Sequence, residues 1–202
     1  MKLSHVIYKV NDLQQAVADY RQQGFKVDYG SKKNPHNALI YFSEGPYIEL
    51  MAKVPVPASV KYFLTILGKG KVRDRLEYWQ NAKPGLMDLC LETELLHFKR
   101  EKAIFKAYQQ AYFQTRSARL DPMDRHLKWK MLFPMELQLP FLMTAFNINP
   151  KPIDFIHPNG IRKITQVAYG SQPVFLPFLN ALCPDEALQL FVGKGMRELK
   201  FE

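Results

Sequence analysis

The order strand, helix, strand, strand, strand occurs twice in this 202-residue chain, and that repeat restricts the available folds more than any other feature. Residues 3–10 alternate well enough for a half-buried strand. Asn11 or Asp12 then offers a helix N-cap. Leu13, Val17 and Tyr20 recur at helical spacing, with Gln14, Gln15 and Arg21 on the wet side and Gly24 as terminator. Residues 25–29 alternate again. Asn34-Pro35-His36-Asn37 and Glu44-Gly45-Pro46 are turns around a strand at 38–42, and 47–51 closes the unit. The same rhythm returns with a strand at 86–91, a helix at 94–112, and strands at 113–119, 126–133 and 140–146.

Between the two units, Val54-Pro55-Val56-Pro57 predicts a stiff linker, and residues 60–67 and 72–80 carry helical patterns. Residues 161–202 form a shorter echo: a strand at 164–169, a helix at 174–182, and strands at 188–192 and 197–201 around Gly193-Lys194-Gly195. The expected organisation is a first βαβββ module (1–53), a helical insertion (54–85), a second module (86–146) and a third βαββ unit (161–202), in one compact domain. The fold class is α+β, with repeated βαβββ units forming a curved mixed sheet around a cavity.

Composition narrows the function. Hydrophobic residues make up 47% and charged residues 23%, as in an ordinary globular protein. The formal charge is +9, but the basic residues are scattered in ones and twos, so a solvated surface is favoured over a nucleic-acid reader. No apolar run is long enough to span a membrane. There is no leader-like segment, and the two cysteines have no metal-type spacing; both points suggest a reducing, cytoplasmic setting. No nucleophile elbow or phosphate loop is present.

The sharpest chemical signal is the pair His5 and Glu49, one in the first strand and one in the fourth. Imidazole and carboxylate are common ligands of divalent cations, and both also serve as hydrogen-bonding cavity groups. Tyr8 and Tyr41 offer hydroxyls to a cavity, although period-two burial explains them equally. Arg116 and Arg119 lie three apart in a strand and face opposite sides, so only one can meet an anionic ligand; Arg119 is the candidate. His36 and His157 sit in turn chemistry and His97 on a helix surface, while His126 has no assigned role. Trp129, Phe133 and Phe141 are core candidates.

Several segments together resemble the vicinal oxygen chelate superfamily, in its glyoxalase-like branch. They are Leu3-Ser4-His5-Val6, Asn11-Asp12-Leu13, His36-Asn37-Ala38-Leu39-Ile40-Tyr41-Phe42, Gly45-Pro46-Tyr47-Ile48-Glu49-Leu50, Pro140-Phe141-Leu142 and His157-Pro158-Asn159-Gly160. The resemblance spans nearly the whole chain. It implies a divalent metal (Zn, Mn, Fe, Ni or Mg) held by His5 and Glu49, a small oxygen-rich ligand in the sheet cavity, and a homodimer. A full site takes ligands from two modules. Aligning the second module by its helix start puts Met87 or Asp88 opposite His5, and the Pro140-Phe141 match puts Met143 opposite Glu49; methionine is a poor ligand for hard cations. Aligning the third unit puts Gln166 there instead. Two functions follow as expectations. In one, the metal polarises two substrate oxygens and stabilises an enolate. In the other, the same cavity binds or sequesters a small molecule without metal.

Overall fold

The structure, a computed structural model, describes residues 1–54, 58–152 and 155–202. Its first strands and helix are β1 (Lys2–Lys9), α1 (Leu13–Gln22), β2 (Asp28–Tyr29), β3 (Asn37–Ile40) and β4 (Tyr47–Met51). Helices α2 (Ala58–Ile66) and α3 (Gly70–Asn81) follow; the Pro55–Pro57 part of the predicted linker lies outside the described residues. Next come β5 (Gly85–Thr93), α4 (Lys99–Ala107), β6 (Tyr112–Leu120), β7 (His126–Pro134) and β8 (Phe141–Thr144). The chain ends with β9 (Ile164–Ser171), α5 (Leu176–Leu182), β10 (Leu188–Val192) and β11 (Gly195–Phe201).

Eight strands form one curled sheet in the order β2-β3-β4-β1-β5-β8-β7-β6. Each half has the same internal plan, because β1 pairs parallel with β4 as β5 pairs parallel with β8. The halves meet where β1 and β5 run antiparallel. Both expected α+β modules therefore contribute four strands to one half-barrel. The third unit does not join them: β10-β9-β11 is a separate three-stranded sheet.

The outer face of the half-barrel carries the larger core. Leu13 and Val17 of α1, Phe105 of α4 and Phe178, Leu179 and Leu182 of α5 pack there against Val6, Leu89, Leu91 and Ile164. Asp12 starts α1 by accepting from the Gln15 amide at 3.0 Å, a side-chain N-cap that satisfies one otherwise unpaired donor. The inner face holds a second cluster, in which Val72, Leu76 and Trp79 of α3 lie against Ile7, Met51, Met87, Phe133 and Phe141.

Two elements depart from the periodicity. The second-module helix begins at Lys99, not at residue 94, because Thr93 Oγ1 accepts the Leu95 amide and Leu95 and Leu96 point to solvent. The strand expected at 25–29 shrinks to Asp28–Tyr29. There the Phe25 amide donates to the Tyr20 carbonyl and the Lys26 amide to His157 Nδ1, so neither is available to a ladder. His157 packs edge-on against Phe25, Phe42 and Phe155, a buried structural position.

Helix α3 is held to the inner face by a buried ion pair. Arg75 Nη1 donates to Asp88 Oδ2 at 2.9 Å, Trp79 Nε1 donates to the same oxygen at 2.8 Å, and Arg75 Nη2 reaches the carbonyls of Glu136 and Leu139. Both side chains are nearly inaccessible, at 1% and 6%. Removing one partner of such a pair strands a charge, whereas replacing both with apolar groups does not. Asp88→Leu is therefore expected to destabilise the fold by about 3–5 kcal/mol, and Arg75→Met/Asp88→Leu to recover most of that loss. Urea unfolding of the two variants checks this; a double variant no better than the single overturns it.

Candidate functional site

The site starts from an irregularity in β1. Leu3 faces Leu91 and His5 faces Cys90, so Ser4 is an extra residue on the β1 side, a β-bulge. The bulge lets Ser4 and His5 both face inward, while Leu3 and Val6 stay in the outer core.

A hydrogen-bond chain then assigns the protons. Ser4 Oγ donates to Glu92 Oε2 at 2.8 Å and lies 3.1 Å from His5 Nδ1. A hydroxyl has one proton, so with that proton on Glu92 the oxygen accepts from Nδ1–H, and His5 Nε2 keeps its lone pair. Nε2 faces Glu49 Oε2 at 3.3 Å. The other carboxyl oxygen accepts from Asn37 Nδ2 at 2.8 Å. An imidazole nitrogen and a carboxyl oxygen thus stand close together, away from solvent. Burial lowers His5 to about 3, with Arg119 and Lys151 adding to the effect. Burial also raises the Glu49 carboxyl, against the opposing pull of Asn37 and Arg119. Burial thus works against an ion pair between them.

These groups line a chamber of about 110 Å³ whose remaining wall is largely aromatic and thioether, including Tyr47, Trp79, Phe141 and Met143. Tyr47 stacks on the His5 imidazole at 4.7 Å. Arg119 enters from β6, at the far end of the sheet order, and its charge acts on Tyr41, whose phenol is pushed up chiefly by burial. It can do so because the half-barrel nearly closes. A Cβ added to Gly30, just after β2, would stand 2.0 Å from Asn37 Oδ1 and 2.7 Å from Arg119 Nη1. Only glycine lets both side chains reach this point. Lys32 and Asp124 pair across the same closure.

Of the residues expected from sequence, His5, Glu49 and Arg119 come together in the chamber, while Tyr41 lines the clefts outside it. Tyr8 packs on the outer core instead. Gln166 lies in the separate sheet, opposite Lys200, and does not line the chamber. Met143 is where it was expected, beside Glu92 as Glu49 is beside Ile7. Opposite His5, however, the second module presents Cys90 and not Met87 or Asp88: His5 pairs with Tyr47 as Cys90 pairs with Phe141. The late start of α4 misplaced the alignment, and Asp88 serves the Arg75 pair. Asn37 was read only as part of a turn. Counting the β3–β4 register from that hairpin puts Leu39 opposite Glu49 and Asn37 two residues further on the same face.

The donor set does not fit a divalent metal. One half offers His5 and Glu49, but the matching positions hold Cys90, whose thiol burial pushes well above its usual range, and the thioether of Met143. Among the described residues no three His, Cys, Asp or Glu side chains converge, and a guanidinium faces the chamber.

The burial of His5 has a pH consequence. An unfolded histidine takes up its proton near 6.5, while His5 in the fold resists it down to about 3. Stability attributable to His5 is therefore lost as pH falls below 6.5, at up to about 1.4 kcal/mol per unit. His36 and His157 are lowered too, with the same sign, so the comparison with His5→Gln isolates the effect. Between about pH 7 and about pH 5 the native chain should lose more stability than His5→Gln in urea unfolding; equal losses overturn the assignment.

Comparisons with known proteins agree with this architecture. The family model described as a glyoxalase-like domain matches residues 3–174. No curated protein matches the sequence. Among solved structures, a hypothetical protein from Staphylococcus aureus is similar at TM-score 0.66 and 16% identity, covering 97% of this chain and 88% of that one. A variant of Streptomyces coelicolor methylmalonyl-CoA epimerase, in complex with 2-nitronate-propionyl-CoA, matches at 0.44 and 15% identity, over 72% of this chain and 97% of its own. A Zea mays glyoxalase I mutant matches at 0.40 and 14%, over 90% and 53%. With the family model covering most of its length, this chain belongs to the glyoxalase-like domain family of the vicinal oxygen chelate superfamily.

Proposed function

We propose that this protein binds a small oxygen-rich molecule in the inner chamber without a divalent metal, with Arg119 as the cationic contact and Asn37 and the His5–Glu49 pair as its polar wall. The supporting observation is the convergence of these four side chains, from four different segments, in an otherwise apolar chamber. Groups so placed are costly to bury unless they meet a partner, and a concave apolar site with a few polar groups is the usual form of a small-molecule pocket. In a metal-bearing relative the cation would be the positive charge of the site. Here the guanidinium fills that role, and it presents directional donors that a metal does not. The two free, buried cysteines suit a reducing, cytoplasmic compartment.

One observation favours a second reading, metal-dependent binding: the lone pair of His5 Nε2 stands beside Glu49 Oε2 at 3.3 Å, which is half a ligand set. Metal analysis of the purified protein separates the two. The metal-free reading expects sub-stoichiometric metal and small-molecule binding that chelator leaves unchanged. Glu49→Ala should weaken binding by about tenfold through the lost wall contact. Stoichiometric metal lost in both His5→Ala and Glu49→Ala, together with chelator-sensitive binding, would favour the second reading and overturn the first.

A further inference from the structure

Two buried polar atoms of the chamber residues have no protein partner: Arg119 Nε, a donor on a cation, and Asn37 Oδ1, an acceptor. The amide cannot turn to relieve this, because its Nδ2 is committed to Glu49 Oε1. Asn37 Oδ1 and Arg119 Nη1 both crowd the notch over Gly30, so the two side chains that carry the orphaned atoms meet there. No ion pair among the described residues includes Arg119. The neighbouring Tyr41 phenol is kept neutral chiefly by burial, and Glu49 is taken up by Asn37 and by its contact with His5. An unpaired donor, an unpaired acceptor and an unbalanced positive charge together describe what is missing.

We infer that the chamber receives the head of a 2-hydroxycarboxylate, with one carboxylate oxygen accepting from Arg119 Nε–H and the 2-hydroxyl donating to Asn37 Oδ1. This rests on the metal-free reading above and names its ligand class. Each neighbouring class leaves something unmet. A 2-oxo acid sets a carbonyl oxygen against Asn37 Oδ1, acceptor to acceptor. A plain acid leaves that oxygen unpaired. A neutral diol leaves Arg119 without a counter-charge. A volume of about 110 Å³ equals the share of roughly four waters, which suits a two- or three-carbon head. The chamber shares Leu39 and Arg119 with an outer cleft of about 980 Å³, so a longer ligand has room for its remainder.

Four three-carbon probes of nearly one shape test this on the intact, chelator-treated protein: lactate (both enantiomers), pyruvate, propionate and propane-1,2-diol, titrated by calorimetry. One enantiomer of lactate should bind about tenfold or more tighter than each of the others. Arg119→Lys, which keeps the charge and loses the Nε–H, should weaken lactate by about tenfold. Asn37→Ala should bring the lactate-to-propionate ratio close to one. If that variant fails to fold, the native series decides alone. Equal binding of all four, tightest binding of the diol, or a ratio that survives Asn37→Ala overturns this ligand class while leaving small-molecule binding in place. No binding of any probe, with binding appearing on added zinc or manganese, overturns both.

Discussion

The antiparallel pairing of β1 with β5 joins two four-stranded halves into one sheet, and near its middle His5 faces Cys90. Each of these strands also pairs in parallel with the last strand of its own module. The seam therefore fixes which residues of the two modules share an inner face. It also sends β2 and β6 to opposite ends of the sheet order, where the twist of the strands brings them back into contact around Gly30 and Arg119. Without that closure Arg119 would be a solvated cation on an edge strand. With it, the side chain becomes part of the chamber.

The chamber has polar groups from the first module where the matching positions of the second module are apolar. His5 and Glu49 remain, but Cys90 and Met143 occupy the matching positions and Phe141 and Trp79 pack beside them. Burial favours the neutral forms of His5 and Glu49. Ser4 and Glu92 behind the imidazole set its tautomer, as an outer partner orients a metal-bound histidine in other sites. The polar wall is thus organised for hydrogen bonding, with positive charge supplied by a side chain.

Helices α2 and α3 determine how much of the inner face stays open. Val72, Leu76 and Trp79 fill one end of it, and the Arg75–Asp88 pair, buried on both sides, holds α3 in place. Charged groups at such burial fix geometry more than they add stability. Their consequence here is a small chamber next to a larger outer cleft.

Local patterning by itself determined the modules. Period-two alternation, helical spacing and turn residues located nearly every strand and helix, because each of these signals acts within a few residues. His5 and Glu49 were legible because both sit in strands with recognisable flanking motifs. The rest depended on long-range contacts. A single-residue bulge at Ser4 decided which way His5 points, and a late helix start replaced Met87 with Cys90 opposite it. Gln166 looked equivalent to His5 in strand pattern, yet β9 pairs only with β10 and β11. Strand pattern states which side chains alternate, not which sheet a strand joins. Arg119 and Asn37 are far apart in the chain and acquire a common role only when the two sheet edges meet. The sequence alone located the elements and the two strands that carry His5 and Glu49; tertiary structure decided what stands opposite them, because strand register and sheet closure are properties of the whole sheet.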